Sequence, residues 1–300
     1  MRSLDEMIDQ LNKKKPQTVS VAQAGSQEVL KAVKLAAEAG IAEFILTGSA
    51  EDIEKKAETT GLDLNQSGIS VQDCSVEEAA AQAVKAVHNQ KADVVMKGHI
   101  DTKSLLKQVL HKEYGLRGGG ILSHVSLFEI PNYDRLIFLT DAGMNIAPSL
   151  EEKVQIIENS VAVARQAGWE NPKVAPLAAV EVVNPSMPAT MDAAILTQMN
   201  RRGQIKNCLI DGPLAFDNAV DLRAAEEKGI QSEVAGAADI LLVPSIEAAN
   251  ALYKSFMYFA NAKVAAVISG AKAPIVLTSR ADTAESKLYS LALALHSTNK

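Results

Sequence analysis

Short apolar runs alternate with stretches in which apolar residues recur every three or four positions, and this rhythm continues along most of the chain. It predicts an α/β protein with mainly parallel sheets, in which strands are buried on both faces and helices bury one stripe. Runs at 19–22, 44–46, 69–71 and 94–96 predict the first strands. Between them, Ser26 opens a helix whose Val29, Leu30, Val33 and Ala37 face inward, and Gly40 ends it. A polar helix runs from about Ala50 to Gly61, and Ser75 with Glu78 forms a capping box for a helix reaching His88.

The middle changes character. Gly118, Gly119 and Gly120 break the pattern, and the apolar runs on either side of Pro131 to Asp134 predict an antiparallel hairpin. Ser149 and Glu152 form a second capping box. Another α/β set then follows: strands at 174–178, 208–210, 240–243 and 264–268, a loop containing Pro185 and Pro188, and helices at 191–202 and 247–259. Phe256, Tyr258 and Phe259 in the last of these helices are expected in a core. A final apolar run, 274–277, stops at Ser279 and Arg280. Asp282 is the expected N-cap of the closing helix, with Glu285 three residues on and Ala284, Leu288, Leu291, Ala292 and Leu295 on one face.

Composition narrows the function classes. At 300 residues and 47% hydrophobic content the chain exceeds the usual single core, so two domains are expected. Thirty basic against 36 acidic side chains, a net charge of −6, offer no broad basic surface for nucleic acid. Two cysteines without metal-ligand spacing point to packed, reduced thiols and a cytoplasmic protein. The N-terminal segment lacks the apolar core of a signal peptide, and no run reaches membrane-spanning length, so no membrane partner is expected. Neither GxGxxG after the first strand nor GxxxxGK occurs, which argues against dinucleotide and nucleoside triphosphate binding by those routes. The five histidines show no HxxxH-type pairing, so no metal site is expected.

The polar residues that remain collect at one kind of place, the carboxyl end of a predicted strand: Lys97-Gly98-His99, Thr140-Asp141, Asp211-Gly212-Pro213, Pro244 and Ser279-Arg280. In parallel α/β sheets those ends converge on the ligand crevice. A hydroxyl and a guanidinium between a strand and a helix N-terminus suit phosphate, carboxylate or an oxyanion. Each cluster also has a plain reading: the glycines turn the chain, the aspartates cap loops, and His99 is a satisfied core imidazole.

Four segments, FLTDAGMNIAPSLEEK, LIDGPLAFDNAVD, VAGAADILLVPSIEAANALYK and SGAKAPIVLTSRADTAESK, together resemble the phosphate acetyl/butyryltransferase family, in the family's order, over roughly residues 93–295. The length, the Lys97-Gly98-His99 variant and the ending Ser279-Arg280-Ala281-Asp282 look most like its phosphate butyryltransferase branch; acetyl enzymes tend to carry Cys where Asp282 stands. The resemblance implies reversible acyl transfer between coenzyme A and phosphate, butyryl preferred, with phosphate acetyltransferase as the alternative. An NAD-dependent dehydrogenase of similar two-domain architecture is a more distant one. It implies an isocitrate/isopropylmalate dehydrogenase-like fold with an interdomain cleft, residues 1–143 with 275–300 forming one domain and 144–274 the other. Ser279, Arg280 and Asp282 would be catalytic. Lys97, Gly98, His99, Lys107, Asp141, Asp211 and Gly212 would contact substrate. No cofactor beyond the substrates, a homodimer or larger homo-oligomer, and metabolic coupling to a butyrate or acetate kinase are also implied.

Overall fold

The structure, a computed structural model, describes residues 1–12, 15–278 and 282–298. It divides into two compact units: Ser3–Gly120 with Val264–Lys300, and Ile121–Lys263 with Met1–Arg2. The first contains α1 (Leu4–Leu11), β1 (Gln17–Ala22), α2 (Gln27–Glu38), β2 (Ala42–Gly48), α3 (Ala50–Thr60), β3 (Ile69–Asp73), α4 (Val76–His88), β4 (Val94–Lys97) and α5 (Thr102–Val109). The second contains β5 (Ser123–Glu129), β6 (Ile137–Thr140), α6 (Leu150–Gln166), β7 (Lys173–Pro176), α7 (Pro188–Arg201), β8 (Leu209–Ile210), α8 (Phe216–Val220), α9 (Leu222–Glu227), β9 (Ile240–Leu242) and α10 (Ile246–Tyr258). The chain re-enters the first unit through β10 (Lys263–Ser269), β11 (Ile275–Val276) and α11 (Ala284–His296).

The first unit orders its strands β3-β2-β1-β4-β11-β10. All these neighbours are parallel except β10 and β11, which meet antiparallel at Ile268 and Ile275. β1 is central, with Val19–Ala22 opposite Val94–Lys97, and β11 sets Ile275 against Val95 and Val276 against Met96. The carboxyl ends of β1, β4 and β11 therefore lie at one edge, and the chain leaves all three there. The second unit orders its strands β5-β6-β9-β7-β8, with β5 and β6 forming the expected antiparallel hairpin and the rest parallel.

The units divide after Gly120 and at Val264, whereas the sequence places the crossings near residues 143 and 275. Strand pairing explains the difference: β5 pairs with β6 and β6 with β9, which binds the hairpin to the second set of strands. β10 pairs with β11 and belongs with the first. Both capping boxes form, at Ser75/Glu78 and Ser149/Glu152. Pro188, expected in a loop, instead opens α7, where a missing N–H costs nothing. Phe256 is buried, but Tyr258 and Phe259 are 75% and 88% exposed, because α10 ends there and presents them to solvent.

α11 departs most from its reading as an amphipathic surface helix. Every residue from Tyr289 to His296 is buried, while Leu288 is only partly so. Neighbours on several sides account for this. The Tyr289 hydroxyl donates to Asp5 Oδ1 on α1 at 2.7 Å, and Gln17 Nε2 donates to the Leu295 carbonyl at 3.1 Å. Ser290 Oγ accepts from the Ala266 amide at 3.0 Å, and His296 Nε2 meets the Met7 carbonyl at 2.9 Å. The N-cap is Thr283 rather than Asp282: its side chain accepts from the Ser286 amide at 3.1 Å, and Glu285 receives the Tyr289 hydroxyl at 2.9 Å instead of completing a capping box.

Candidate active site

β4 delivers Lys97, Gly98 and His99 to the edge of the first unit, and backbone pairing fixes how they emerge. The Gly98 amide donates to the Ala22 carbonyl at 2.9 Å and the His99 amide to the Gln23 carbonyl at 2.7 Å. A Cβ on Gly98 would stand 2.1 Å from the Gln23 carbonyl oxygen, so only glycine lets the two chains approach this closely. Lys97 is buried at 6% exposure, and its ammonium donates to the carbonyls of Gly98 and Ile100, at 3.3 and 3.1 Å. It fastens the loop from within. His99 is exposed, which removes the reading of a core imidazole.

His99 and Lys107 line one groove of about 560 Å³. Gln23 comes from the end of β1, Glu77 from the first turn of α4, and Asp101, Ser104 and Gln108 from α5 and its cap. Asp101 accepts from the Ser104 amide at 2.9 Å, and hydrogen bonding from Ser104 holds its carboxyl below the usual range. The lining thus offers an imidazole, an ammonium, two carboxylates and two amides, a set suited to a ligand with both donors and acceptors. No sequence signal marks Gln23, whose positive φ of 57° turns the chain at a residue other than glycine.

Ser279 and Arg280 lie outside the described residues. The described chain stops before them at Thr278 and resumes at Asp282. Thr278 is 5% exposed, and its hydroxyl is buried with no hydrogen-bond partner among the described residues. Beyond them, the Asp282 carbonyl accepts from the ammonium of Lys287. Lys287 is only 3% exposed; burial lowers its pKa, opposed by the charges of Asp282 and of Glu28 on α2. Neither Thr278 nor Lys287 stands out by sequence, the first being the tail of an apolar run and the second a charge on a helix read as half exposed.

The second unit holds the other sequence-derived positions, and it does not bring them together. Asp141 follows β6 at 3% exposure, and its carboxylate is occupied by the loop it organises. Oδ1 accepts from the Gly143 and Met144 amides at 2.9 Å each, and Oδ2 from Asn145 Nδ2 at 2.6 Å. Asp211 and Gly212 follow β8, and β9 and β7 stand between β6 and β8. Three strand spacings put these positions about 14 Å from Asp141. Asp211 pairs at 3.5 Å with Arg201, itself 66% exposed, a solvent-screened contact of little energetic weight. Gly212 donates no side chain; its carbonyl accepts from Thr197 at 3.2 Å.

Cys208 is buried, and burial pushes its thiol up to about 11, so it is protonated at neutral pH. Cys74 is also raised, chiefly by burial. Neither is an activated nucleophile. Among the described residues no group of three or more His, Cys, Asp or Glu is arranged to hold a metal ion. No helix among them is long and apolar enough to cross a membrane.

The sequence pattern described as Phosphate acetyl/butaryl transferase matches residues 3–82 and 71–295. The chain is 56% identical over 292 residues to a probable phosphate butyryltransferase of Bacillus subtilis, an alignment covering 97% of each protein. It is 48% identical over 289 residues to a phosphate acetyltransferase of Thermotoga maritima, covering 96% of this chain and 98% of that one. In three dimensions it matches a crystal structure of a branched-chain phosphotransacylase from Enterococcus faecalis with a TM-score of 0.82 and 35% identity, over 94% of this chain and 99% of that one. The fold, the strand-end residues and these similarities lead to one conclusion: the chain belongs to the phosphate acetyl/butyryltransferase family.

Proposed function

We propose that this protein catalyses reversible transfer of a short acyl group between coenzyme A and inorganic phosphate, with butyryl preferred: acyl-CoA plus phosphate gives acyl phosphate plus CoA. The end-to-end similarity to the Bacillus subtilis protein carries this reading. A phosphate oxygen attacks the thioester carbonyl carbon, and the carbonyl electron pair moves onto oxygen. Collapse of that tetrahedral species breaks the carbon–sulfur bond, and the proton of the incoming phosphate ends on the CoA sulfur. Substrates supply both nucleophile and leaving group, so the reaction balances without a metal, an organic cofactor or an acyl-enzyme.

Such a reaction asks the protein to hold phosphate beside the thioester and to stabilise the oxyanion. Arg280 grips phosphate bidentately and Ser279 donates to the oxyanion. Thr278, whose hydroxyl has no partner among the described residues, adds a further donor next to them in the chain. Asp282 takes the proton-moving role. Lys97 and Gly98 shape the loop that presents His99, and His99 with Lys107 serves the polar parts of the substrates from the groove. Asp141, Asp211 and Gly212 set the loops at the strand ends of the second unit. The reading includes a homodimer or larger homo-oligomer in the cytoplasm, its acyl phosphate passed to a carboxylate kinase.

The Thermotoga maritima relative supports acetyl transfer as the second reading. The kcat/KM values for acyl-CoA substrates of two to five carbons decide between the two, the account expecting a maximum at four. Arg280→Ala is expected to lower kcat/KM for phosphate about 100-fold or more, the loss of roughly 3 kcal/mol of charge-assisted contact. An unchanged phosphate dependence would remove Arg280 from the mechanism.

A further inference from the structure

α11 carries a charged side chain where its packing argues for an apolar one. Lys287 is the fourth residue of this helix in the first unit, and only 3% of it is exposed. A helical side chain leans back toward the N-terminus, so the ammonium returns past the N-cap Thr283 and donates to the Asp282 carbonyl. α2 packs against α11, and Glu28 in its first turn is the charge that acts on Lys287 from that helix. Glu28 itself accepts from Lys31 at 2.7 Å. Asp282 is the other charged group acting on Lys287.

Stability alone gives little reason for a cation at this place. Burial strips water from an ammonium, and the N-terminal end of a helix disfavours positive charge. A methionine would fill a similar volume without either cost. What the ammonium supplies is a donor to one backbone carbonyl, and that carbonyl belongs to the residue at which the described chain resumes, two positions after Arg280. The same device occurs on the neighbouring strand. Lys97, 6% exposed, ends β4, which lies beside β11, and its ammonium holds the carbonyls of Gly98 and Ile100 in the loop that presents His99. Two buried lysines of the first unit thus each bind main-chain carbonyls in a segment that follows a strand end.

We propose that Lys287 is a positioning residue for acyl transfer: its ammonium fixes the main chain at Asp282 and so aims the Asp282 carboxylate. It is buried too deeply to meet coenzyme A or phosphate itself. The assignment rests on the transferase reading, which gives Asp282 its proton-moving role. A hold of this kind acts on the reacting geometry rather than on substrate affinity, since a misplacement of about 1 Å is enough to slow a catalytic step about 100-fold.

The test compares wild type with Lys287→Met, which keeps the bulk and loses the donor, and Lys287→Gln, whose donor ends one bond short of the lysine's. With butyryl-CoA and phosphate, each variant is expected to lower kcat by about tenfold or more while both KM values stay within about twofold. In an Asp282→Asn background either change should lower kcat by less than about twofold further, because the hold then has no carboxylate to aim. Hydrogen exchange of the peptide spanning Asp282 reads the hold without turnover, and it should quicken about tenfold or more in both variants. Unchanged kcat, a loss that persists in full in the Asp282→Asn background, or exchange equal to wild type would overturn the proposal. A rise in both KM values with kcat intact would overturn it as well. Faster exchange in the variants, when wild type itself shows no phosphate-dependent thiol release, would sink the transferase reading instead and leave Lys287 assigned as the anchor of Asp282.

Discussion

Thr278 and Lys287 flank the Ser279–Arg280 segment with two buried polar groups of opposite circumstance. The Thr278 hydroxyl has no partner among the described residues, and a buried group left in that state costs a folded protein about 1–3 kcal/mol. Thr278→Val keeps the shape and removes the hydroxyl. It is expected to leave the melting temperature unchanged or higher while lowering kcat/KM for phosphate roughly tenfold, with Thr278→Ser restoring most of the loss. Unaltered kinetics would reduce Thr278 to packing. Lys287 carries a cation that burial disfavours, so its pKa in the folded protein lies below the ordinary 10.5. Across that window the unfolded chain binds more protons than the folded one. Its contribution to stability is complete above 10.5 and is lost as pH falls through the depressed value. Wild type should therefore gain stability relative to Lys287→Met as pH rises toward 10.5, measurable as a widening difference in denaturation midpoint. A constant difference would contradict it.

At the scale of elements, the strand-end glycine is the sharpest constraint. Gly98 lies against the Gln23 carbonyl, and an added Cβ at 2.1 Å would have to displace backbone. Gly98→Ala is expected to cost ~3 kcal/mol, at the upper end of overpacking penalties, with a matching drop in denaturant midpoint. An effect below about 0.5 kcal/mol would show that β1 and β4 part easily. Much of this level is legible in the sequence. Serine with glutamate three residues on marks α4 and α6, because that pairing satisfies amides locally. The hairpin of β5 and β6 reads from its turn. What depends on remote partners does not read. α11 shows an amphipathic period, yet α1 and β10 cover the faces that period assigns to solvent. The N-cap is Thr283 rather than Asp282, its hydroxyl accepting from the Ser286 amide, while Glu285 faces the Tyr289 hydroxyl one turn on instead of turning back to the cap. α5, short and polar, carries no periodic signal long enough to detect, although it supplies Ser104, Lys107 and Gln108 to the groove.

For the whole molecule, the alternation of strands and helices suffices to predict mainly parallel α/β units, since no other layer arrangement buries those runs. Strand partners are invisible to hydrophobicity: β10 pairs with β11 and lies in the first unit, which begins again at Val264, whereas the sequence places the return near residue 275. The site is legible as a list of strand ends and less so as an assembly. His99 and Lys107 share a groove, and Asp141 is absorbed by its own loop. The central claim is that phosphate is the acyl acceptor. It is tested by mixing the purified protein with butyryl-CoA, adding inorganic phosphate, and following free thiol together with acyl phosphate. The account predicts thiol release that rises and saturates with phosphate, one acyl phosphate formed per thiol. Thiol release indifferent to phosphate at every acyl length from two to five carbons would contradict it.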